Sequence, residues 1–442
     1  MIFKKPNPDN NIFVGDSGKN ITKFNLPLEF KYCSKCLLTN QRPTTRSEHS
    51  IKEDITITTR FFKDVCEACI IKEKQELIDW DKKKFEFKKL LDKYRSRNGS
   101  YDVVVPGSGG KDSFYVAHRL KYEYGMNPIT VTFSPFMYTD WGFKNLKNWI
   151  NAGFENFLNT PNQKIYRLLS RLALEKLFHP WHPWILGQKN YPTKFARMFK
   201  VPLIIYGESP SEYGSPVSEY TSQYVKEWHT YKKLSDIRLS GCSLEELYSY
   251  GVKYYDLYPF LPLQEKEFEE SELNCCAFSY YHKWHPQENY YYTMENSPFH
   301  VSPERTAGTY SKYNGIDDKM DDMFFYTYYI KYGFGRTTHD VAQEIRNGDL
   351  TVKEGLQLVK KFDGEYPSRF DKDIFEYLSM PKDIFGEKIS NLFETPIIDK
   401  EYFFDLSDNF RSPHLWTKTN KGFELRNKIE NFFPEYFSSK PE

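Results

Sequence analysis

Residues 107–113 read Gly-Ser-Gly-Gly-Lys-Asp-Ser, which joins a flexible backbone to a cation, a carboxylate and two hydroxyl groups. Glycines let the backbone turn tightly and present N–H groups to an anion, and a helix that follows adds its positive dipole end. A Walker A loop requires G-x-x-x-x-G-K-[ST]. Here Val105 stands five residues before Gly110 and Asp112 follows Lys111, so that motif is absent. The pattern predicts a phosphate-binding loop of another type.

The elements around this loop follow an alternating pattern. Apolar runs predict buried parallel strands, and periodic apolar spacing predicts helices. The predicted strands are residues 102–105, 128–133, 154–160 and 201–206, and the predicted helices are residues 114–124 and 163–178. This order indicates a parallel sheet with helices on both faces, where ligands gather at the carboxyl ends of the strands. The loops at residues 107–113, 134–148 and 207–214 are therefore expected to converge.

The loop matches S-G-G-x-D-S over residues 108–113 and so resembles the PP-loop of the ATP-pyrophosphatase superfamily. The resemblance implies an adenine nucleotide alpha hydrolase-like domain that splits ATP between its α and β phosphates and adenylates a substrate oxygen. It implies ATP and Mg²⁺ as cofactors, with the metal near Asp112. The residues expected at the nucleotide are Gly107, Ser108, Gly109, Gly110, Lys111, Asp112, Ser113, Thr132 and Phe133.

Two C-x-x-C pairs, 29 residues apart, form a second chemical feature. They are Cys33, Cys36, Cys66 and Cys69. Such pairs can place four thiolates tetrahedrally around one zinc, as in zinc ribbons. Residues 55–59 are rich in threonine and isoleucine, which suits a short hairpin between the pairs. The zinc is expected to be structural, because four thiolates leave no open position for water; a redox role fits two pairs less well.

The amino-acid composition limits the classes of function that the chain can have. There are 61 basic and 60 acidic residues, so no general electrostatic attraction to nucleic acid is expected. Aromatic residues reach 18%, and many of these rings must lie at half-exposed surfaces or line pockets. No run of about eighteen apolar residues exists, and residues 1–6 lack the apolar core of a signal peptide. A cytoplasmic, reducing location without membrane insertion is therefore predicted.

Several clusters leave alternatives open. The lysines of a predicted helix at residues 72–97 are interleaved with acids, which favours a solvated face over a nucleic-acid patch. Residues 178–184 contain two histidines three apart, but prolines favour an aromatic pocket wall or lid over a metal site. Asp317, Asp318, Asp321 and Asp322 could hold Mg²⁺, position an ammonium or form an N-terminal helix cap. Cys275 and Cys276 are either buried or active in redox or sulfur transfer.

Read together, several separated segments resemble the N-acetyl sugar amidotransferase family, the WbpG/PseA/LegG group. They are both cysteine pairs with Arg42-Pro43, residues 105–113, Trp141-Gly142 with Asn145-Leu146, Gly187-Gln188, residues 206–208 with 212–214, Asp317-Asp318 and residues 331–336. The likeness spans about residues 31 to 370.

The resemblance implies conversion of a sugar acetamido group to an acetamidino group, for bacterial surface glycans or nonulosonic acids. The amide oxygen would be adenylated and ammonia would displace AMP. Lys111, Asp112 and Glu208 are the expected catalytic residues. Asn145, Gln188, Glu212, Tyr213, Lys331 and Arg336 are expected to bind the sugar, which is expected to be nucleotide-linked.

No glutaminase nucleophile is apparent, because the chain begins Met1-Ile2 and Leu244 replaces the second glycine of a G-x-C-x-G turn around Cys242. Ammonia is therefore expected from outside the chain. The resemblance implies a separate glutaminase pair similar to HisH and HisF.

Two rival functions remain at this point. One is a PP-loop tRNA-modifying enzyme of the thiolase or lysidine type, which would need a basic face and usually a catalytic cysteine, with Cys275 or Cys276 the only candidates. The other is a scaffold that binds nucleotide without turnover.

The predicted fold class is α/β. It comprises a lead-in and zinc-ribbon-like module over residues 1–75, a parallel-sheet PP-loop domain over residues 76–270, and an aromatic-rich, mostly helical C-terminal region over residues 271–442 that completes the substrate site. Residues 351–354 read Thr-x-x-Glu, a capping box for a helix that should end near Phe362, before Gly364.

Overall fold

A five-stranded parallel sheet carries the loop. The computed structural model describes residues 2–7, 13, 21–43, 58–207 and 229–437. The strands are β1 (Phe61–Phe62), β2 (Val65–Cys66), β3 (Val103–Pro106), β4 (Pro128–Phe133), β5 (Glu155–Asn159), β6 (Leu203–Tyr206), β7 (Thr230–Tyr231), β8 (Leu263–Gln264), β9 (Asn274–Ala277), β10 (Trp416–Thr419) and β11 (Gly422–Leu425).

Helices cover the sheet and form most of the chain after it. They are α1 (Glu67–Gln75), α2 (Trp80–Tyr94), α3 (Lys111–Tyr122), α4 (Asp140–Asn151), α5 (Gln163–Leu177), α6 (His182–Phe199), α7 (Leu244–Ser249), α8 (Tyr254–Leu257), α9 (Glu265–Glu270), α10 (Pro286–Asn296), α11 (Met320–Tyr332), α12 (Arg336–Asn347), α13 (Val352–Phe362), α14 (Asp371–Leu378), α15 (Lys382–Ser390), α16 (Lys400–Asp408) and α17 (Ile429–Phe432). Short 3-10 helices occur at Leu234–Asp236, Phe278–Tyr280 and Pro434–Tyr436.

The strand order in the central sheet is β5-β4-β3-β6-β9, and every neighbouring pair is parallel. The chain moves outward from β3 to β5 and then returns to the other side of β3 with β6. Val104, in the middle strand, pairs with Ile129 on one side and Ile204 on the other. The direction of winding thus reverses between β3 and β6, and such a switch point opens a crevice at the carboxyl ends of the strands.

Strands β3, β4 and β6 are buried on both faces and are mainly apolar, whereas the edge strand β5 is polar at three of its five positions and mostly exposed. Val104 and Ile204 face a core shared with α5 and α6, while Val103 and Val105 face a second core with α2 and α3. Successive side chains of a strand point to opposite faces, so a strand covered on both sides has no polar side. The predicted α/β class with a parallel sheet is confirmed.

Several elements differ from the sequence prediction. Most of the loop predicted at residues 134–148 is helical, because Thr139 caps α4 by accepting a hydrogen bond from the Gly142 amide. The helix predicted over residues 72–97 is two helices, α1 and α2, separated where Asp79 caps α2 by accepting a hydrogen bond from the Lys82 amide. Strand β9, which carries both vicinal cysteines, was not predicted, because a four-residue run has too little pattern. The sheet therefore continues beyond residue 270, where the sequence analysis placed a domain boundary.

The region after β9 is mostly helical, as predicted. The capping box is confirmed: the Thr351 hydroxyl accepts from the Glu354 amide while the Glu354 carboxylate accepts from the Thr351 amide. Helix α13 ends at Phe362, and Gly364 follows at φ 81°. No helix among the described residues is both long and apolar enough to cross a membrane.

A close approach between α6 and β4 makes Gly187 sensitive to substitution. A Cβ atom there would lie 2.1 Å from the Phe133 ring. We expect Gly187→Ala to lower the free energy of unfolding by about 1–3 kcal/mol through overpacking. Urea denaturation would measure this change. In a helix free of such contact, the same substitution would raise stability by about 1 kcal/mol, so a stabilised variant would contradict the packing described here.

Candidate functional site

The glycine-rich loop leaves β3 at the switch point and ends at the first turn of α3. Gly107 lies so close to α4 that a Cβ atom would be 2.1 Å from the Trp149 ring. Gly109 has φ 91°, and a Cβ atom there would lie 2.6 Å from the Asn145 carbonyl oxygen. The two positions therefore require glycine, and Gly110 caps α3 without a side chain. The N-terminus of α3 faces the crevice, where its amides can bind an anion.

The polar side chains of the loop are held by specific partners. The buried Lys111 ammonium lies 2.5 Å from Asp112 Oδ2, and Asn289 donates to Asp112 Oδ1 at 3.1 Å. The Ser113 hydroxyl donates to the Gly110 carbonyl at 3.1 Å, which closes the first turn of α3. The Ser108 hydroxyl donates to Asp317 Oδ2. The loop is thus joined to the C-terminal region by side chains.

Residues 316–320 form one wall of the crevice. Tyr138 and Asp318 form an antiparallel bridge, and the Thr139 amide donates to the Asp317 carbonyl at 3.1 Å. Asp318 accepts backbone N–H bonds from Phe136 at 2.7 Å and from Met320 at 2.9 Å. This wall is therefore fixed to the segment between β4 and α4.

Burial raises the pKa of the carboxyl groups on this wall. The pKa of Asp317 is about 6, because burial outweighs its hydrogen bond from Ser108. The pKa of Asp318 is about 7, because burial outweighs its backbone hydrogen bonds. Burial also raises the pKa of Asp321, against the opposing charge of Arg336. Asp317 and Asp318 can therefore exchange protons near neutral pH.

Arg336 begins α12 and is fixed on three sides. Its Nη1 donates to Asp321 Oδ2 at 3.0 Å, its Nε donates to Asp340 at 3.2 Å, and its guanidinium lies 4.1 Å from the Phe325 ring centre. Gly315 makes room for this pair, since a Cβ atom there would lie 1.7 Å from Asp321 Oδ2.

An aromatic wall faces the carboxylates. Trp181 and Trp184 stack with ring centres 4.6 Å apart, and Phe324 packs 4.9 Å from Trp181. The predicted aromatic pocket wall is confirmed, since both tryptophans line the cavity. His182 Nδ1 accepts a hydrogen bond from the Ser240 amide, and burial lowers the pKa of His179 well below its usual value.

Together these walls enclose a cavity of about 550 Å³ that contains the loop. Its lining draws on the loop, the ends of β4 and β6, helices α6, α11 and α12, and Arg42 from the N-terminal module. The loops after β3, β4 and β6 meet here, since Gly107, Pro135 and Gly207 all line it. Residues 208–214 lie outside the described residues.

The structure brings some of the predicted site residues together and separates others. The residues that line the cavity are Gly107, Ser108, Gly110, Lys111, Asp112, Ser113, Phe133, Gln188 and Arg336. Glu208, Glu212 and Tyr213 lie outside the described residues. Thr132, Asn145 and Lys331 lie elsewhere. The Thr132 hydroxyl donates to Asn156 at 3.0 Å, Asn145 bonds to the backbone of His300, and the Lys331 ammonium donates to the Leu177 carbonyl at 2.9 Å.

Sequence reasoning missed several lining residues. Tyr313, Phe325, Tyr328 and His339 belong to no local motif, although Phe324 and Tyr328 have helical spacing. Asp317, Asp318 and Asp321 were noticed but left unassigned. Arg42 also lines the cavity. Its position in the sequence, between the two cysteine pairs, does not indicate this.

The four paired cysteines form one compact cluster. Their sulfur atoms lie within 4.8 Å of one another, with Cys33–Cys69 at 3.7 Å and Cys36–Cys66 at 3.5 Å. Tetrahedral Zn–S bonds of about 2.3 Å would place the sulfurs about 3.8 Å apart, so the cluster fits zinc. All four are buried, and the hairpin β1–β2 leads into Cys66. Of the hairpin predicted at residues 55–59, residues 55–57 lie outside the described residues.

Helix α12 connects this cluster to the cavity. Arg336 and His339 line the cavity near its start, while Arg346 near its end donates to Cys36 Sγ at 3.2 Å. Ala342 lies between them and packs in the small core around the cysteines. A guanidinium beside a tetrathiolate offsets the negative charge of such a site and orients its ligand.

The other three cysteines are also buried. Cys242 lies in the bridge with Leu239, and Cys275 and Cys276 lie within β9. Burial raises the pKa of Cys276 to about 12, which opposes formation of a thiolate. None of the three lines the cavity as the described residues define it. They are structural thiols in this fold.

The fold and site define an α/β protein with a glycine-rich loop at a sheet switch point, a helical wall and a four-cysteine module. Residues 307–430 match a protein-family model described as "LPS biosynthesis protein WbpG-like, C-terminal domain". A search of curated proteins found no match. The predicted resemblance to the WbpG group is thereby confirmed over the C-terminal region, which includes Asp317, Asp321 and Arg336.

We expect about one zinc per chain, because the four thiolates suit a single tetrahedral ion. Cys66→Ser should lose the metal, while Cys242→Ala, which removes a buried thiol outside the cluster, should retain it. Arg346→Leu should weaken zinc affinity by about 10- to 100-fold, because it removes the donor to Cys36. Metal analysis and competition with a chelator would measure these effects. Equal zinc content in Cys66→Ser and Cys242→Ala would contradict the assignment.

Proposed function

We propose that this protein is an ATP-dependent amidotransferase that converts a sugar acetamido group to an acetamidino group in the biosynthesis of a bacterial surface glycan or nonulosonic acid. The observation that carries the proposal is one cavity that joins an S-G-G-K-D-S loop, at a sheet switch point, to a WbpG-like wall. Its volume of about 550 Å³ is in the range that holds small-molecule ligands.

The proposed chemistry explains why an adenylating loop is needed. An amide oxygen is a poor leaving group. It attacks the α-phosphorus of ATP, and its new P–O bond forms as the bond to pyrophosphate breaks. Ammonia then adds to the activated carbon and AMP leaves. The loop amides and the Lys111 ammonium stabilise negative charge on the phosphates, which is electrostatic catalysis. Glu208, predicted to be catalytic, stays a prediction.

Magnesium would neutralise phosphate charge when bound with ATP. Mg²⁺ is commonly held by one or two carboxylates together with substrate phosphates. Asp112 fits this role, because its side chain is 34% exposed and lines the cavity beside the loop. Lys111 and Asn289 fix the orientation of that carboxylate.

Ammonia is proposed to come from a separate glutaminase pair. Glutamine hydrolysis needs an accessible nucleophile such as a cysteine thiolate. All seven cysteines of the chain are buried, and four of them form the metal-type cluster. The glutaminase itself, and its likeness to HisH and HisF, rest on the family resemblance.

Burial of the cysteines also argues against the rival tRNA-modifying function. That function usually requires a catalytic cysteine, and the only candidates, Cys275 and Cys276, are 4% and 1% exposed in β9. The near-neutral net charge of +1 supplies no general attraction to tRNA. The intact Lys111, Asp112 and Ser113 of the loop count against a scaffold without turnover.

A panel assay tests the reaction. The purified chain is incubated with Mg-ATP, ammonium chloride and a series of free, UDP-linked and CMP-linked acetamido sugars. We expect pyrophosphate release that depends on one of the sugars, with a product about one mass unit lighter, because NH replaces O. Glutamine in place of ammonium should give no product. Modification of tRNA with no reaction of any sugar would reject the proposal.

Gly109→Ala tests whether the loop binds the nucleotide. The new Cβ atom would strain a backbone at φ 91° and press on the Asn145 carbonyl, so the loop must shift. We expect ATP affinity to fall at least about tenfold, measured by calorimetry. Gly99→Ala is the matched control, because Gly99 has φ 80° but nothing within 4 Å of its Cβ position. Equal ATP affinity in the two variants would place the nucleotide elsewhere.

A further inference from the structure

One carboxylate oxygen in the cavity wall has no hydrogen-bond partner. Asp321 lines the cavity, is 1% exposed, and its Oδ1 atom is buried without a partner. Its Oδ2 atom is held by Arg336, which is itself held by Asp340. A buried polar atom without a partner is costly, and an oriented one is a frequent sign of a ligand. Asp321 is thus fixed in place with one acceptor left over.

A second carboxylate, that of Asp317, lies in the same cavity wall and connects this wall to the glycine-rich loop. Asp317 lines the same cavity and accepts a hydrogen bond from Ser108. The charge of Asp321 also acts on Asp317 and raises its pKa, so the two carboxylates are electrostatically linked. Both lie on the wall that faces the phosphate-binding loop, where the activated substrate carbon would form.

We propose that Asp317 and Asp321 form the binding site for ammonium, the nitrogen source of the reaction. The inference rests on the proposed function and adds to it the residues that receive the nucleophile. An ammonium ion has four N–H donors and one positive charge, which match two carboxylate acceptors. Phe324, Phe325 and Tyr328 line the cavity around Asp321, and aromatic faces attract such cations.

Magnesium fits this place less well. The Arg336 guanidinium, 3.0 Å from Asp321, repels a divalent cation more strongly than a monovalent one. Ammonium becomes neutral as it reacts, whereas a metal ion would keep its charge.

The two carboxylates can take the two protons that the reaction releases. Asp321 accepts one proton from NH₄⁺ and leaves NH₃. The lone pair of NH₃ forms the C–N bond to the adenylated carbon. The C–O bond to AMP then breaks and AMP leaves with that electron pair, while Asp317 accepts one further proton from the added nitrogen. The product is an amidinium cation. The raised pKa of Asp317, about 6, suits a temporary proton acceptor.

Tryptophan fluorescence gives a direct test without turnover. Trp181 and Trp184 line the same cavity, so the full chain is titrated with ammonium chloride at constant ionic strength. We expect a saturable change for the natural chain. Asp321→Asn should weaken ammonium binding by about tenfold or more, because a charged hydrogen-bond acceptor is lost. Asp373→Asn, which removes a carboxylate paired with Lys319 outside the cavity lining, should bind ammonium normally.

Titrations with other cations test whether the site recognises the N–H donors of ammonium or only its size and charge. Potassium has nearly the size of ammonium but donates no hydrogen bonds, so it should give a much weaker response. Equal binding of potassium, or displacement of ammonium by magnesium, would overturn the proposal, as would no saturable ammonium response. Asp317→Asn provides a second variant that leaves the Arg336–Asp321 pair intact, and it should also weaken ammonium binding. Melting temperatures of each variant identify any that fail to fold.

The kinetics separate this inference from the proposed function. With a reactive sugar, Asp321→Asn should raise KM for ammonium and leave KM for ATP unchanged. Turnover of an acetamido sugar together with no ammonium site in the titration would overturn the inference alone. Ammonium binding that depends on Asp321, in a protein that modifies no acetamido sugar, would support the site and reject the sugar assignment.

Discussion

The cavity depends on how a distant segment is fixed to the carboxyl edge of the sheet. Residues 316–320 pair with the backbone after β4, and Asp318 accepts N–H bonds from both Phe136 and Met320. A buried carboxylate is tolerated only when such donors surround it, so a shift of this segment would leave Asp318 without partners. Gly142 permits the contact, since a Cβ atom there would lie 2.6 Å from the Asp317 carbonyl. The loop and the WbpG-like region are thereby held at a defined separation.

That arrangement explains which parts of the site could be predicted from sequence. The loop is a local feature, because its glycines, its lysine and the strand before it are contiguous in sequence. Their conformational preferences can be read without knowing the rest of the chain. Asp317 meets Ser108 across 209 positions of sequence, and no spacing rule encodes this contact. The acidic cluster was visible, but whether its members cap a helix or face a cavity is decided by the tertiary contacts.

Lys331 and Arg336 illustrate the same limit. Both flank the glycines of one short turn, and the family resemblance predicts that both bind the nucleotide-linked sugar. Arg336 begins α12 and lines the cavity, whereas Lys331 ends α11 and reaches the Leu177 carbonyl, with its ammonium 4.5 Å from the Phe24 ring centre. The glycines let the chain reverse between the two helices, so the side chains diverge. Two residues that are close in sequence need not share a site when a helix ends between them.

The four-cysteine module has a wider role than local stability. Helix α12 spans from Arg336 to Arg346, a rise of about 15 Å at 1.5 Å per residue. Its first residue orients Asp321, and Arg346 donates to Cys36. The same module supplies Arg42 to the cavity lining from the chain between the cysteine pairs. A metal ion at the cysteines would therefore restrain the C-terminal end of α12, because Arg346 donates to Cys36.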